Sequence, residues 1–486
     1  MGKNAKFKIA AYAVTVAVMF GTGSMSAQGA VRSDAESGPG VTTQQGVALA
    51  PNVTSSMCTP EYWISRTRDA GRVLMTQEQI QELNTKIVQT AEANVIDLSA
   101  LPEVYDGRDM ADRMATFTSP EKLYLNGEPV PESYYQAIRD NIKNSQVSRK
   151  MPLRYGFVVN HTVMKGYPYG EFLSDSAADA EWDNLASAGI YVNEPLAVYF
   201  FTGDGRFAFV KASFCAGWVP TEDIAVCKDK AEWDAARDMK NILVVTGEKV
   251  YLEAGINAVQ TSEKRLAMGT VVERVPVSAG EVEETSMGSL VSGRQTWNNY
   301  VVKLPCRRDD GSFYQELALV PANRDVSTRY LAYTTGNVIT QAFKSLGNRY
   351  GWGGMLYGQD CSSYVRDVYR CFGLMIPRNT TWQGAMPVEM TLMKDMTDAD
   401  RIHALNEFMP GTILQILGHE MLYLGCVDGK YYTINDISSL VSPEDMGESP
   451  SVLRIRSVIV NDLGTKRRSG KTWMEELTKA IKISGK

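Results

Sequence analysis

Three side chains near the C-terminal end have the types and spacing for nucleophilic acyl chemistry. Cys361 lies in the stretch LGNRYGWGGMLYGQDCSSYVRDVYRCFGLMIPRNTTW, where a glycine-rich aromatic loop runs into Asp360-Cys361 and an amphipathic segment begins. A thiol at a helix start faces backbone N–H groups without internal partners and the positive end of the helix dipole, which favours the thiolate. His419 follows Gly418, where a strand opens toward a cleft, and could take the thiol proton and return it to a departing amine. Asn435 could accept from the far ring nitrogen and hold the tautomer. Each has a plainer reading: Cys361 as a buried structural cysteine, His419 as a satisfied strand histidine, Asn435 as a turn residue with Asp436 the orienting group. The chain has three histidines. His403 stands in a short linker with no matching partner, and His161 reads as structural or rim-lining.

The elements that must position these groups follow from the surrounding pattern. Asn337 to Leu346 reads as a helix with Val338, Ala342 and Leu346 on one side. A second runs from Cys361 to Phe372, burying Val365, Val368, Tyr369 and Phe372, with Gly373 placed to end it and Pro377 preventing resumption. Thr412–Leu417, His419–Leu424 and Lys430–Ile434 read as strands. A three-residue loop, Cys426 to Asp428, would set His419 directly across from Asn435; a two-residue loop would shift the register by one and misalign them.

Upstream, Thr76 to Gln79 has capping-box spacing, and Ile80, Leu83, Ile87 and Val88 share a helical face. Another helix is read over Glu132 to Ile142, so that residues 56–145 form a helical layer too narrow for a core of its own. Short strands then come in two groups. The first is Arg154–Val159, Ala197–Phe201, Arg206–Lys211 and Gly217–Val219, with a turn at Gly203-Asp204-Gly205. The second is Ile242–Val245, Thr270–Val275, Tyr300–Leu304 and Tyr314–Val320, with Gly280–Ser289 as an exposed acidic loop. Two such groups point to two small curled barrels, with Phe207 and Phe209 in the core.

At 486 residues, 44% hydrophobic and 22% charged, the chain has room for two to four domains of ordinary globular composition. A net charge of −6 without a basic tract disfavours nucleic-acid partners. Lys3, Lys6 and Lys8, the twelve-residue apolar run Ile9–Phe20, and Ser24 with Ser26 read as an export signal, too short for a confident membrane span, with an uncleaved anchor as the alternative. Residues 27–55 read as a flexible lead. Seven cysteines in an exported chain allow a local Cys215–Cys227 disulfide or buried free thiols. No cysteine or histidine spacing calls for a metal, and no cofactor is expected.

At Asp360-Cys361-Ser362-Ser363-Tyr364-Val365 and Gly418-His419-Glu420-Met421-Leu422-Tyr423-Leu424-Gly425 the chain resembles the NlpC/p60 family of bacterial cell-wall cysteine peptidases. Arg349 to Gly354 before the cysteine and Pro377-Arg378-Asn379 after it belong to the same resemblance, which covers about Tyr62 to Leu440. It implies an α+β protein: a papain-like NlpC/p60 C-terminal domain over 326–486, two SH3-like β-barrels over 151–230 and 231–325, and a helical N-terminal stabilising region over 56–150, behind a signal peptide at 1–26.

By the same resemblance Cys361 is the nucleophile, His419 the base and Asn435 the third polar residue, where relatives often have histidine. Asp360 and Tyr350 bind substrate, the carboxylate holding the free amino group of an N-terminal L-alanine. The implied activity is hydrolysis of the γ-D-glutamyl-L-diamino acid bond in peptidoglycan-derived peptides. The first barrel closes one end of the cleft, and Tyr199 and Glu194 are unassigned rim candidates. An amidase or acyltransferase using the same triad, and an inert wall-binding protein, are the alternatives.

Overall fold

The computed structural model describes residues 42–44, 47–116, 122–277, 280, 282–442 and 451–484. The export signal and the first part of the lead lie outside the described residues. The rest of the lead is anchored: Asn52 donates to Asp462 at 2.7 Å and its carbonyl accepts from Tyr432 at 3.0 Å, while Val53 is buried. A polar, glycine-rich composition predicted flexibility here, and pairing with distant residues overrides it.

Helix α1 (Gln77–Gln89) starts on the capping box at Thr76 and buries Ile80, Leu83 and Ile87. Helix α2 (Glu132–Lys143) buries Tyr135, Ile138 and Ile142. They do not form one layer. The α1 stripe enters a core with Val365, Val368 and Tyr369, whereas Ile138 and Ile142 pack with Phe200, Phe207, Phe209 and Trp218. An amphipathic stripe states that a partner exists, not which one.

Seven strands follow: β1 (Arg154–Val158), β2 (Thr162–Lys165), β3 (Ala186–Ile190), β4 (Pro195–Phe201), β5 (Phe207–Lys211), β6 (Ala216–Pro220) and β7 (Ile224–Val226). They form one antiparallel sheet in the order β3-β2-β6-β5-β4-β1-β7. A second β unit contains β8 (Ile242–Val245), β9 (Val271–Val275), β10 (Asn299–Arg307), β11 (Phe313–Pro321) and β12 (Val326–Ser327), ordered β11-β10-β9-β8-β12. The segment read as an exposed acidic loop instead contributes to a three-stranded antiparallel sheet, in which Glu283–Thr285 pairs with Gly288–Val291 and the latter with Arg294–Gln295. Its Glu-rich composition hid the hairpin turn before Gly288.

The C-terminal unit sets helix α3 (Thr335–Phe343) and helix α4 (Cys361–Arg370) against a six-stranded antiparallel sheet. Its strands are β13 (Glu389–Leu392), β14 (Ile413–Ile416), β15 (His419–Val427), β16 (Lys430–Val441), β17 (Val452–Asp462) and β18 (Lys479–Lys482), ordered β13-β18-β14-β15-β16-β17. Val365, Val368, Leu422 and Ile434 share the core between α4 and the sheet. Gly373 ends the helical region with φ +85°, which only glycine adopts freely. Asn84 of α1 holds the chain beyond it, donating to the Gly373 carbonyl and accepting from Met375 N–H, each at 2.8 Å. All seven cysteines are free thiols, so Cys215 and Cys227 are not joined; they belong to different core clusters of the first β unit.

Candidate active site

Cys361 occupies the first position of α4, and Asp360 caps it. The Asp360 carboxylate accepts from Ser363 N–H at 2.9 Å while the Ser363 hydroxyl accepts from Asp360 N–H at 2.8 Å, a reciprocal cap that fixes where the helix begins. Both Asp360 oxygens also meet the Arg378 guanidinium, at 3.0 and 2.6 Å, in a buried fork. Burial alone would raise the Asp360 pKa, but the Arg378 charge and these hydrogen bonds outweigh it and hold the carboxyl below its ordinary value. In the sequence Arg378 stands out only as part of the Pro377-Arg378-Asn379 motif. Its role as the cap's counter-ion had no local signal.

The imidazole comes from the other side of the site. The β14–β15 hairpin turns through Leu417 and Gly418, and His419 is the first residue of β15. The turn into β16 is the two-residue Asp428-Gly429, both with positive φ, and Val427 pairs with Lys430. The expected three-residue loop and direct opposition are therefore incorrect. A bulge at Leu424 inserts one extra residue, so Gly425 pairs with Tyr432 but Tyr423 pairs with Thr433 and Leu422 with Ile434. The bulge restores the parity that the short turn removes. Extending that register leaves Asn435 a diagonal neighbour of His419 on the same face, close enough for Nε2 to meet Asn435 Oδ1 at 2.8 Å.

That contact fixes the ring. Asn435 is fully buried and its amide donates to Asn461 Oδ1 at 2.7 Å, so its own oxygen is turned to His419. His419 Nε2–H therefore donates, and Nδ1 is left as the basic nitrogen. Trp473 packs edge-on to the imidazole, centroids 5.4 Å apart. Burial lowers the His419 pKa to about 4, although the Asn435 hydrogen bond opposes this.

Cys361 lies near the next residue of this strand: the backbone and the carboxyl of Glu420 both act on its thiol, the first lowering and the second raising its pKa. The helix start therefore puts the thiol beside the imidazole-bearing end of β15. The electrostatics differ from the expectation that the dipole favours a thiolate. Burial raises the Cys361 pKa well above its usual value, and the carboxyls of Asp360, Glu420 and Asp436 add to the effect. Glu420 is fully buried, accepts from Gln415 at 2.9 Å, and is pushed up to about 8 by burial and then by Asp360. Asp436 alternates to the opposite side of β16 from Asn435, and neither carboxyl oxygen has a hydrogen-bond partner. Burial and Asp360 raise its pKa too. Both shifts favour the neutral thiol and the neutral imidazole over the ion pair.

Tyr350 is buried in the glycine-rich loop, its N–H donating to the Arg456 carbonyl at 2.9 Å. Trp182, from the first β unit, stacks on Tyr350 at 6.1 Å and on Trp352 at 5.6 Å. Glu181 pairs with Arg349 at 2.5 Å, and Asp179 pairs with Arg456 and, at 3.4 Å, with Arg454. Beside the loop, Gly354 approaches Gly189 so closely that a Cβ there would lie 2.3 Å from its nitrogen. Sequence reading missed Trp182, since nothing local in Glu181-Trp182-Asp183 points to the loop it covers.

The remaining candidates lie elsewhere. His161 is buried between Tyr191 and Tyr357, with Nδ1 2.8 Å from Arg265. His403 is exposed on the helix Asp398–Glu407, where a linker was expected. Glu194 pairs with Arg370 at 3.0 Å on the far side of α4, and Tyr199 packs with Tyr105 and Phe209. Among the described residues no cluster of three or more His, Cys, Asp and Glu could hold a metal ion, and no helix is long and apolar enough to cross a membrane.

A thiol at the head of a helix, packed on a sheet whose strand bears a His–Asn pair, is the order of elements in a papain-like domain. Comparison with known proteins gives the class a family: residues 347–450 match the NlpC/P60 family, and residues 172–220 match an SH3 domain of the SH3b1 type. The chain thus carries a domain of the NlpC/P60 family, a cysteine-peptidase type, over 347–450, with an SH3-like domain upstream. Among solved structures it is similar to an NlpC/P60 endopeptidase from Photobacterium damselae subsp. piscicida, with 16% identity and a TM-score of 0.64 over 84% of this chain and 93% of that one. An NlpC/P60 family protein from Bacillus cereus ATCC 10987 shares 14% identity, with a TM-score of 0.44 over 68% of this chain and 99% of that one. No curated protein matches the chain.

Proposed function

We propose that this protein is an exported cysteine endopeptidase that hydrolyses the γ-D-glutamyl-L-diamino acid bond of small peptidoglycan stem peptides with a free N-terminal L-alanine. One observation carries the reading: the helix headed by Cys361 packs against the strand headed by His419, whose ring is fixed by Asn435 at 2.8 Å. The second β unit is taken as a second SH3-like domain, and the leader as a signal to the periplasm or beyond.

His419 Nδ1 takes the Cys361 proton as the sulfur attacks the γ-carbonyl carbon. The oxygen of the tetrahedral intermediate draws on the Cys361 backbone N–H. Collapse breaks the C–N bond, the imidazolium proton goes to the departing amine, and a thioester remains. Water, deprotonated by His419, then releases the glutamyl carboxylate and restores the thiol. Burial disfavours a resting ion pair, which supports general-base activation of the thiol within the substrate complex.

Tyr350 walls the subsite for the free amino end. Arg378 already engages both Asp360 oxygens, so Asp360 acts there through its charge rather than a free acceptor. The stack of Trp182 on Tyr350 and Trp352 supports a cleft closed at one end and a preference for released peptides.

The test is mass analysis of products from L-Ala-γ-D-Glu-diamino acid peptides and from intact wall. The reading predicts the L-Ala-D-Glu dipeptide, heavier by one water than its residue in the substrate. Adducts with added amines would indicate an acyltransferase, release of peptide from glycan an amidase, and no product at all an inert wall-binding protein.

A further inference from the structure

The back of α4, away from the thiol, faces a cavity of about 170 Å³ at the junction of all the units. Its walls include Glu194 and Phe214 of the first β unit, Gly269 of the second, Tyr330 of the connecting segment, and Arg366 and Arg370 of α4. The volume equals roughly six waters of bulk liquid, enough for a small oxyanion and part of its hydration.

The two arginines are one helical turn apart on a single face, an arrangement that repels unless anions offset it. Arg366 is 3% exposed, and its guanidinium carbon lies over the Phe214 ring, 3.6 Å from the centroid. Its nearest carboxylate is Asp367 Oδ1 at 3.5 Å, without hydrogen-bond alignment, so Arg366 Nη1 and that oxygen both stay unpartnered. The other Asp367 oxygen accepts from Tyr191 and, at 2.7 Å, from Gln359. Arg370 gives Nη2 to Glu194 at 3.0 Å, and its buried Nη1 has no acceptor. Tyr330 is the remaining titratable group on the wall, and the second β unit brings no charge to it. Arg366 and Arg370 line the cavity with Glu194, while Asp367 lies beside Arg366 and does not line it, so two buried guanidinium nitrogens are left without an acceptor. Leaving such buried donors unmet is destabilising, and an acceptor that reaches them removes that cost.

We propose that this cavity binds a small oxyanion, a phosphate or carboxylate group, which completes the hydrogen bonding of Arg366 and Arg370 and braces the catalytic helix against both β units. The site is separate from the thiol and stands whether or not the proposed hydrolysis is correct.

The test is calorimetric titration of the full chain with inorganic phosphate and, separately, acetate, at ionic strength held constant with chloride, alongside thermal unfolding. The proposal predicts saturable binding of one anion per chain and an unfolding midpoint that rises with occupancy. Preference for phosphate assigns a tetrahedral group and preference for acetate a carboxylate. Arg366→Gln, or Arg366→Lys if the first does not fold, should weaken binding by about tenfold or more, as loss of a charge-assisted hydrogen bond implies. No saturable heat from wild-type protein, or equal affinity in a folded Arg366 variant, overturns it.

Discussion

The carboxyls beside the thiol give the site its pH behaviour. Glu420 is held at about 8 in the fold against 4.5 ordinarily. Below 4.5 it is protonated folded or unfolded; between 4.5 and 8 the unfolded chain loses a proton that the fold keeps, so stability falls as pH rises through that window. His419, lowered from 6.5 to about 4, works in the other direction: as pH falls through that interval the unfolded chain gains a proton the fold refuses. Glu420→Gln removes the first effect and leaves the second. Denaturant unfolding should show this variant gaining stability relative to wild type from pH 5 to pH 8. A constant difference across that range would rule out a buried neutral Glu420. The candidate residues were legible because cysteine, histidine and asparagine announce their chemistry by type. The thiol's protonation state was not, because it depends on burial and on carboxyls brought in by β15 and β16.

Among the elements, the bulge in β15 and the glycines before α4 do the positioning. The strands and the helix start could be read from periodicity and capping, whereas the bulge left no mark on alternation, and the read register was wrong by two positions while keeping the correct face. Gly354 can be tested directly. Its φ is +87° and an added Cβ would meet Gly189, so Gly354→Ala should combine backbone strain with a clash against the first β unit and cost about 2 kcal/mol or more. Gly470, with φ +80° and open space around it, is the control: Gly470→Ala should lose only the backbone part, about 1 kcal/mol. Equal losses by denaturant titration would mean that the loop does not bear on the first β unit.

Across the whole molecule, α4 is the meeting point. α1 packs on one side of it and both β units reach the junction behind it, while Asp179, Glu181 and Trp182 clamp the glycine-rich loop in front. The succession of units was legible from shifts in periodicity. The division of the two helices between different cores was not, and neither were the ion pairs from Asp179 and Glu181 to arginines far along the chain. If the clamp sets substrate size, Trp182→Ala should lower turnover of the free tripeptide and raise the relative rate on peptide still attached to glycan. An unchanged ratio of the two rates would place size selection elsewhere.

The central claim is that one sulfur does the cleaving. Purified wild-type and Cys361→Ala proteins, matched for folding by circular dichroism, would be given the L-Ala-γ-D-Glu-diamino acid tripeptide and the release of the diamino acid followed by mass spectrometry. The account predicts steady release by wild type and none above background from the variant; cleavage by the variant at the wild-type rate would contradict it.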